Sequence, residues 1–127
     1  MYITALENGY TPVSRVLDAP FVIDDHSKDG VWRPTNYGEK FYGLSTLRLG
    51  IEKSRNLMTI RLSDQVGLEK IAELSKKLEI YNDIPELLSV SLGSAETTLL
   101  NLSAAYSSFV NGGKKIQPNL ISRIQDR

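Results

Sequence analysis

Ser54 and Asn56, which flank Arg55, are the residues of this chain with the clearest capacity for chemistry. A serine hydroxyl donates and accepts hydrogen bonds, so it can pass a proton between two other groups. An asparagine carboxamide carries a donor and an acceptor side by side and can hold a peptide group. Alone, such a triplet is more typical of a helix cap. Its position between two predicted helices, where its side chains can face a cleft, favours function.

An aromatic, proline-bearing loop at residues 32–37 lies a short distance before this triplet. Its side chains Trp32 and Tyr37 are candidates for lining a substrate cleft beside Ser54 and Asn56. Large aromatic residues beside a proline more often anchor a loop, because their rings bury a large apolar area. The sequence therefore leaves substrate binding and loop anchoring open for both aromatic residues.

Helical patterns supply the elements that must position the triplet. Residues 1–6 are typical of the end of a helix, which stops at the Glu-Asn-Gly sequence that follows. Ser45 or Thr46 is the predicted N-cap of a helix that reaches about Lys53. Apolar residues at positions 58, 62 and 66 predict a second helix, which stops at Gly67.

The second half of the chain continues this pattern. Residues 68–78 form the clearest amphipathic helix, and Thr97 or Thr98 is predicted to cap another. Short strands are predicted at residues 20–23 and 120–124. The predicted fold class is mainly α with a few short strands. The last helix carries an apolar stripe on one face: Leu99, Leu102, Tyr106 and Phe109.

Composition argues against several classes of function. The 127 residues suffice for one domain. Because 15 basic residues balance 15 acidic ones, the chain has no net positive charge to attract nucleic acid. Because the chain has no cysteine, it has no disulfide, thiolate nucleophile or thiolate metal site. No apolar run approaches the roughly 20 residues that span a bilayer, and no signal peptide is visible.

The only histidine, His26, lies in a polar segment and is predicted to be solvated. Asp24, Asp25 and Asp29 lie in the same segment but lack the spacing of an EF-hand loop. The sequence therefore predicts no metal site, and none of its motifs indicates a cofactor.

The aromatic loop and the triplet belong to a longer series of motifs that resembles the transpeptidase domain of class A penicillin-binding proteins. Residues 5–12 are similar to the end of that family's nucleophile helix, and residues 89–98 to its Ser-Leu-x-Leu-Gly-x-x-Glu-Val-Thr segment. The resemblance covers almost the whole chain in one order. The other similar segments are residues 32–37, 42–43, 47–48, 53–56, 66–68, 104–106 and 109–113.

The resemblance implies the helix-rich part of the α/β penicillin-recognising serine transpeptidase fold, which is β-lactamase-like. That family uses three motifs: Ser-x-x-Lys, Ser-x-Asn and Lys-Thr/Ser-Gly. In this chain no serine precedes a lysine by three residues, and Lys28-Asp29-Gly30 is only the nearest approach to the third motif. Residues 1–127 are therefore expected to form a single partial domain that lacks the first and third motifs.

The resemblance also implies catalytic roles for the triplet. Ser54 is expected to relay a proton between the lysine of the first motif and the leaving amine. Asn56 is expected to hydrogen-bond the amide of the acyl donor. Arg55 occupies the variable middle position, for which the resemblance implies no chemistry.

For the parent protein, the resemblance implies a D-Ala-D-Ala transpeptidase that cross-links peptidoglycan stem peptides through an acyl-serine intermediate and is inhibited by β-lactams. It implies a membrane anchor, with the domain on the periplasmic side of the bacterial cytoplasmic membrane. The isolated chain is expected to be inactive. Because the sheet against which the family's helices pack is mostly missing here, the chain is expected either to self-associate through its apolar stripe or to close its helical core on itself. Two alternatives remain open: a non-catalytic helical interaction module, and a fragment of a β-lactamase-like serine hydrolase.

Overall fold

A computed structural model describes residues 1–23 and 30–126, so the predictions for His26 and its acidic neighbours lie outside the described residues. Within these ranges the chain is mainly helical, as predicted. Helices α1 to α5 are Tyr2–Glu7, Leu47–Glu52, Asn56–Val66, Leu68–Lys77 and Leu99–Ser107; strands β1 and β2 are Arg15–Asp18 and Gly43–Thr46; a 3₁₀ helix covers Leu88–Leu92.

The two strands of the described part pair in antiparallel fashion, with Val16 opposite Ser45 and Asp18 opposite Gly43. The strand predicted at residues 20–23 was wrong, because only Ile23 makes a bridge there, to Trp32. Pro20 cannot donate to a strand ladder. Strand β1 was not predicted, because one of its two inward-facing side chains, Asp18, is charged. This charge hides the alternation of apolar and polar residues that identifies a strand.

The strand predicted at residues 120–124 was also wrong, since this segment has no regular structure. Its apolar side chains Leu120, Ile121 and Ile124 are exposed. A strand needs a neighbouring strand to satisfy its backbone groups. Among the described residues, this segment pairs with no other strand.

Helix α3 lies at the centre of the core. Its residues Met58, Leu62 and Val66 are buried, which confirms the predicted stripe at a spacing of four residues. They pack with Ala5 of α1 and with buried residues of β1, α2 and α4, in one continuous cluster. Helix α3 contacts most of the other elements: α1, β1, α2, α4 and the 3₁₀ helix. These contacts fix the position of α3 and therefore the position of its first turn, which follows the triplet.

Local signals set the helix boundaries. Thr46 Oγ1 accepts a hydrogen bond of 3.3 Å from the backbone N–H of Leu49 and caps α2. Thr98 Oγ1 accepts one of 3.1 Å from Asn101 and caps α5. Gly67 separates α3 from α4 with φ +97°, a conformation that strains any residue with a side chain. These boundaries confirm the predicted stop at Gly67 and the predicted caps.

The apolar stripe predicted for the last helix is exposed, and its last member, Phe109, lies in the turn after α5 rather than on the helix. Leu99, Tyr106 and Phe109 each expose more than half of their surface, and Leu102 exposes 38% of its surface. None of the helices in residues 1–23 and 30–126 is long and apolar enough to span a lipid bilayer.

Replacing a side chain at the centre of the core should destabilise the chain strongly. Leu62 is 0% exposed, so Leu62→Ala is expected to lower the free energy of unfolding by about 2–5 kcal/mol. Leu99 is 82% exposed, so Leu99→Ala should change that free energy by less than about 0.5 kcal/mol. Urea unfolding at low protein concentration measures both; equal losses would contradict the central position of α3.

Candidate functional site

The triplet forms the connection between α2 and α3. Ser54 has φ +50°, a left-handed conformation that costs about 1–2 kcal/mol for a residue with a Cβ. Two backbone hydrogen bonds close the turn, from Ser54 N–H to the carbonyl of Ile51 at 3.1 Å and from Arg55 N–H to that of Gly50 at 2.9 Å. The left-handed residue reverses the chain, so that Asn56 becomes the first residue of α3.

Ser54 and Asn56 line one open groove of about 210 Å³. The structure therefore brings the two predicted catalytic side chains together, beside the first turn of α1. Their catalytic roles stay a prediction. The other residues that line the groove are Met1, Tyr2, Gly50, Ile51, Thr59, Ser91 and Leu92.

The two aromatic side chains of the loop lie outside the lining of this groove. Trp32 pairs through its backbone with Ile23, in two hydrogen bonds of 2.8 and 3.1 Å. Tyr37 is 98% exposed and anchors nothing in the described chain. The loop reaches the site by another route: its Thr35 carbonyl accepts a hydrogen bond of 3.0 Å from Asn56 Nδ2, which orients the carboxamide.

Asn36 positions the start of α3, a role that its place in the aromatic loop did not predict. It is buried, and its Nδ2 group donates to Asp18 Oδ1 at 2.7 Å and to the Lys40 carbonyl at 2.9 Å. Its Oδ1 accepts a hydrogen bond of 3.2 Å from the N–H of Leu57, in the first turn of α3. The N-cap residue of α3, Arg55, makes no side-chain cap. Asn36 thus caps the helix from the loop and fixes where α3 begins.

Arg55 was also missed, because the resemblance treats its position as variable. Its side chain is only 16% exposed, and its Nε lies 3.9 Å from Asp18 Oδ2. Its guanidinium lies 3.2 Å from the centre of the Tyr42 ring, a cation–π contact. Asp18 itself is 0% exposed. No signal in the sequence indicated this contact, because the burial of Asp18, which calls for a cation nearby, is decided by the fold.

Two hydroxyl groups of the groove lining, those of Tyr2 and Thr59, are hydrogen-bonded to each other. Thr59 Oγ1 donates to the Arg55 carbonyl at 2.9 Å, so the Tyr2 hydroxyl donates its proton to Thr59 Oγ1, also at 2.9 Å. Burial raises the pKa of Tyr2 above its usual value, and the hydrogen bond with Thr59 opposes this in part. Ser91 Oγ is buried and has no hydrogen-bond partner among the described residues.

The lining of the groove therefore combines hydroxyl, carboxamide and apolar groups, and the Asn56 carboxamide is of a type that can hydrogen-bond a peptide group. No cluster of three histidine, aspartate or glutamate side chains suited to a metal ion occurs in residues 1–23 and 30–126.

Comparison with known proteins places this geometry in a family. The family profile described as "Penicillin binding protein transpeptidase domain" matches residues 1–127. The chain belongs to this transpeptidase family. It is 44% identical over 127 residues to penicillin-binding protein 1A of Rickettsia conorii, across 100% of this chain and 16% of that protein. The resemblance seen in the motifs is thereby confirmed.

Solved transpeptidase structures share the fold. The crystal structure of penicillin-binding protein 1A from Haemophilus influenzae superimposes with a TM-score of 0.91 and 32% identity, over 98% of this chain and 19% of that one. Penicillin-binding protein A from M. tuberculosis, solved as an imipenem acyl-enzyme complex, has a TM-score of 0.68. At 19% identity, over 87% of this chain and 30% of that one, it shows the fold alone. The transpeptidase relatives are thus much longer than this chain.

The unpaired hydroxyl of Ser91 generates a prediction about stability. Ser91→Ala should leave the free energy of unfolding unchanged or raise it slightly, because it removes a buried polar group without a partner. Ser63→Ala is the matched control, since its buried Oγ donates to the Thr59 carbonyl at 2.8 Å. That variant should lose about 1 kcal/mol in urea unfolding. Equal losses in the two variants would indicate that the Ser91 hydroxyl has a partner.

Proposed function

We propose that this chain is the central part of a penicillin-binding D,D-transpeptidase domain and that its groove forms one wall of the active site. The proposal rests on one observation: Ser54 and Asn56 line a single groove beside the first turn of α1. In this proposal residues 1–127 contribute the Ser-x-Asn motif. The Ser-x-x-Lys and Lys-Thr-Gly elements belong to other parts of a longer protein.

The proposed reaction has two acyl-transfer steps. The nucleophilic serine of the first motif attacks the carbonyl carbon of the penultimate D-alanine of a peptidoglycan stem peptide. An ester forms, the terminal peptide bond breaks, and D-alanine leaves. An amine of a neighbouring stem peptide then attacks the ester, forming the cross-link and releasing the serine.

Within this reaction Ser54 relays the serine's proton to the nitrogen of the departing D-alanine. Asn56 hydrogen-bonds the amide of the acyl donor, and the bond from Asn56 Nδ2 to the Thr35 carbonyl orients the carboxamide for this task. Trp32 and Tyr37 have no place in the proposal, because neither lines the groove.

β-Lactams are the proposed inhibitors, because they carry an amide that the same serine would open to a lasting acyl ester. The imipenem acyl-enzyme of the M. tuberculosis relative supports this choice by analogy of fold. For the whole protein we propose a membrane anchor, with the domain on the periplasmic side of the bacterial cytoplasmic membrane.

The isolated chain should be inactive. Loss of the nucleophile costs about 10⁶ in rate in a serine protease, and loss of one oxyanion donor costs about 10² to 10³. In the proposed assignment the chain lacks the nucleophile, its lysine and the strand that carries the third motif. Acyl transfer should therefore fall below detection.

Labelling with a fluorescent penicillin followed by a denaturing gel tests the proposal. The full-length parent should form a covalent band, and Ser54→Ala and Asn56→Ala in that protein should each slow acylation by about 10² to 10⁴. The isolated chain should show no band. Ser122→Ala and Asn119→Ala serve as matched controls, since both positions are exposed and far along the chain from the groove.

Two results would contradict the proposal. A covalent band on the isolated chain would place a nucleophile within residues 1–127. Unchanged acylation in both groove variants would favour the alternative of a non-catalytic helical module.

We also propose that the isolated chain self-associates through the apolar stripe of α5, with a second copy as the occupant. Leu99, Tyr106 and Phe109 are all more than half exposed, and Tyr106 and Phe109 stack edge to face with ring centres 5.6 Å apart. The chain has a formal charge of zero, so charge repulsion between copies is weak.

Static light scattering over a range of concentrations should show a mass that rises above that of one chain. Phe109→Lys should lower this mass, because it places a charge in the stripe. The control Lys76→Glu changes the exposed side of α4 and should leave the mass unchanged. A strictly monomeric species at high concentration would contradict self-association.

A further inference from the structure

Ser54 makes no side-chain hydrogen bond within the described residues, so its hydroxyl is positioned by its backbone alone. That backbone is left-handed, with φ +50°. The restraints on it come from the flanking residues. On the carboxyl side, the Arg55 carbonyl accepts two hydrogen bonds from Thr59, one of 3.1 Å from its N–H and one of 2.9 Å from its Oγ1.

The Arg55 side chain supplies a second set of restraints on the same residue. Its guanidinium lies 3.2 Å from the centre of the Tyr42 ring, and its Nε lies 3.9 Å from Asp18 Oδ2. Asp18 is in turn held by Asn36 at 2.7 Å and by the pairing of β1 with β2. Arg55 thus connects the α2–α3 turn to Asp18 at the end of β1 and to Tyr42, the residue before β2.

We propose that Arg55 is a positioning residue that keeps Ser54 in its left-handed conformation, and that it acts through its ion pair with Asp18. The inference rests on the proposed function of Ser54. Arg55 does not line the groove and touches no reacting atom. Its effect comes from geometry, because a displacement of about 1 Å at a catalytic group can cost about 10² in rate.

The alternative explanation is that Arg55 only stabilises the fold. Arg61 provides a matched control for it, since this arginine also holds the end of β1. Its Nε donates to the Leu17 carbonyl at 3.1 Å, its Nη2 donates to the Pro20 carbonyl at 3.1 Å, and it stacks on Phe21 at 4.9 Å. Arg61 does not contact the turn that contains Ser54. A purely structural effect should appear equally in the two arginine variants.

The experiment uses the full-length parent and measures acylation by a fluorescent penicillin under single-turnover conditions. The limiting rate and the half-saturating concentration are separated, and the melting temperature is recorded. Arg55→Gln and Asp18→Asn should each lower the limiting rate by about 10 to 10² with little change in half-saturation. Asp18→Asn keeps an oxygen for the bond with Asn36, while it removes the charge and turns the oxygen that faces Arg55 into an N–H donor.

The double variant Asp18→Asn/Arg55→Gln should be no slower than the slower single variant, since both changes break one interaction. Arg61→Gln should lower the melting temperature but leave the limiting rate unchanged. Tyr42→Leu removes the ring that contacts Arg55 and should slow acylation by a few-fold. Because Tyr42 is half-exposed, this change should destabilise the fold little.

Unchanged limiting rates in Arg55→Gln, Asp18→Asn and Tyr42→Leu would overturn the inference. So would an equal loss in Arg61→Gln, or additive losses in the double variant. Ser54→Ala in the same assay distinguishes failure of the positioning role of Arg55 from failure of the proposed function of Ser54. If it slows acylation and the Arg55 and Asp18 variants do not, only the positioning role fails; if Ser54→Ala changes nothing, the proposed function itself fails.

Discussion

The structure depends on how it accommodates one buried charge. Asp18 lies fully inside the protein, on a strand, and burying a carboxylate is unfavourable unless a cation and hydrogen-bond donors surround it. Asn36 donates a hydrogen bond to Oδ1, and Arg55 brings its charge to 3.9 Å from Oδ2, which accepts no hydrogen bond within the described residues. Because each partner has a second function, as a helix cap and as the residue after the left-handed turn, the surroundings of this carboxylate also build the candidate site.

This coupling explains why the groove lies where it does. Asn36 determines the first turn of α3, and α3 carries Asn56 and Thr59 on the side that faces α1. The turn before α3 then presents Ser54 in a conformation that most residues avoid. Strained backbone of this kind persists only where the surrounding structure holds it. The same network that holds this strain also aligns two polar side chains in one groove.

The helices of this protein were predictable because their signals are local. Thr46 and Thr98 cap the helices that follow them, Gly67 ends α3, and the spacing of Met58, Leu62 and Val66 identified the buried face. Each of these signals acts within one or two turns of chain. The strands were not predictable in the same way, because strand pairing joins residues about thirty positions apart and the inward-facing Asp18 masked the pattern.

The sequence alone therefore determined the helical content, the caps at Thr46 and Thr98, the stop at Gly67, the pairing of a hydroxyl with a carboxamide at residues 54 and 56, and the family resemblance. Tertiary structure decided which other side chains serve that pair. Tyr37, conspicuous in the sequence, is exposed, while Asn36 beside it is buried at the centre of a hydrogen-bond network. Residue type and spacing cannot distinguish these neighbours, because burial and hydrogen-bond partners depend on segments that come together only when the chain folds.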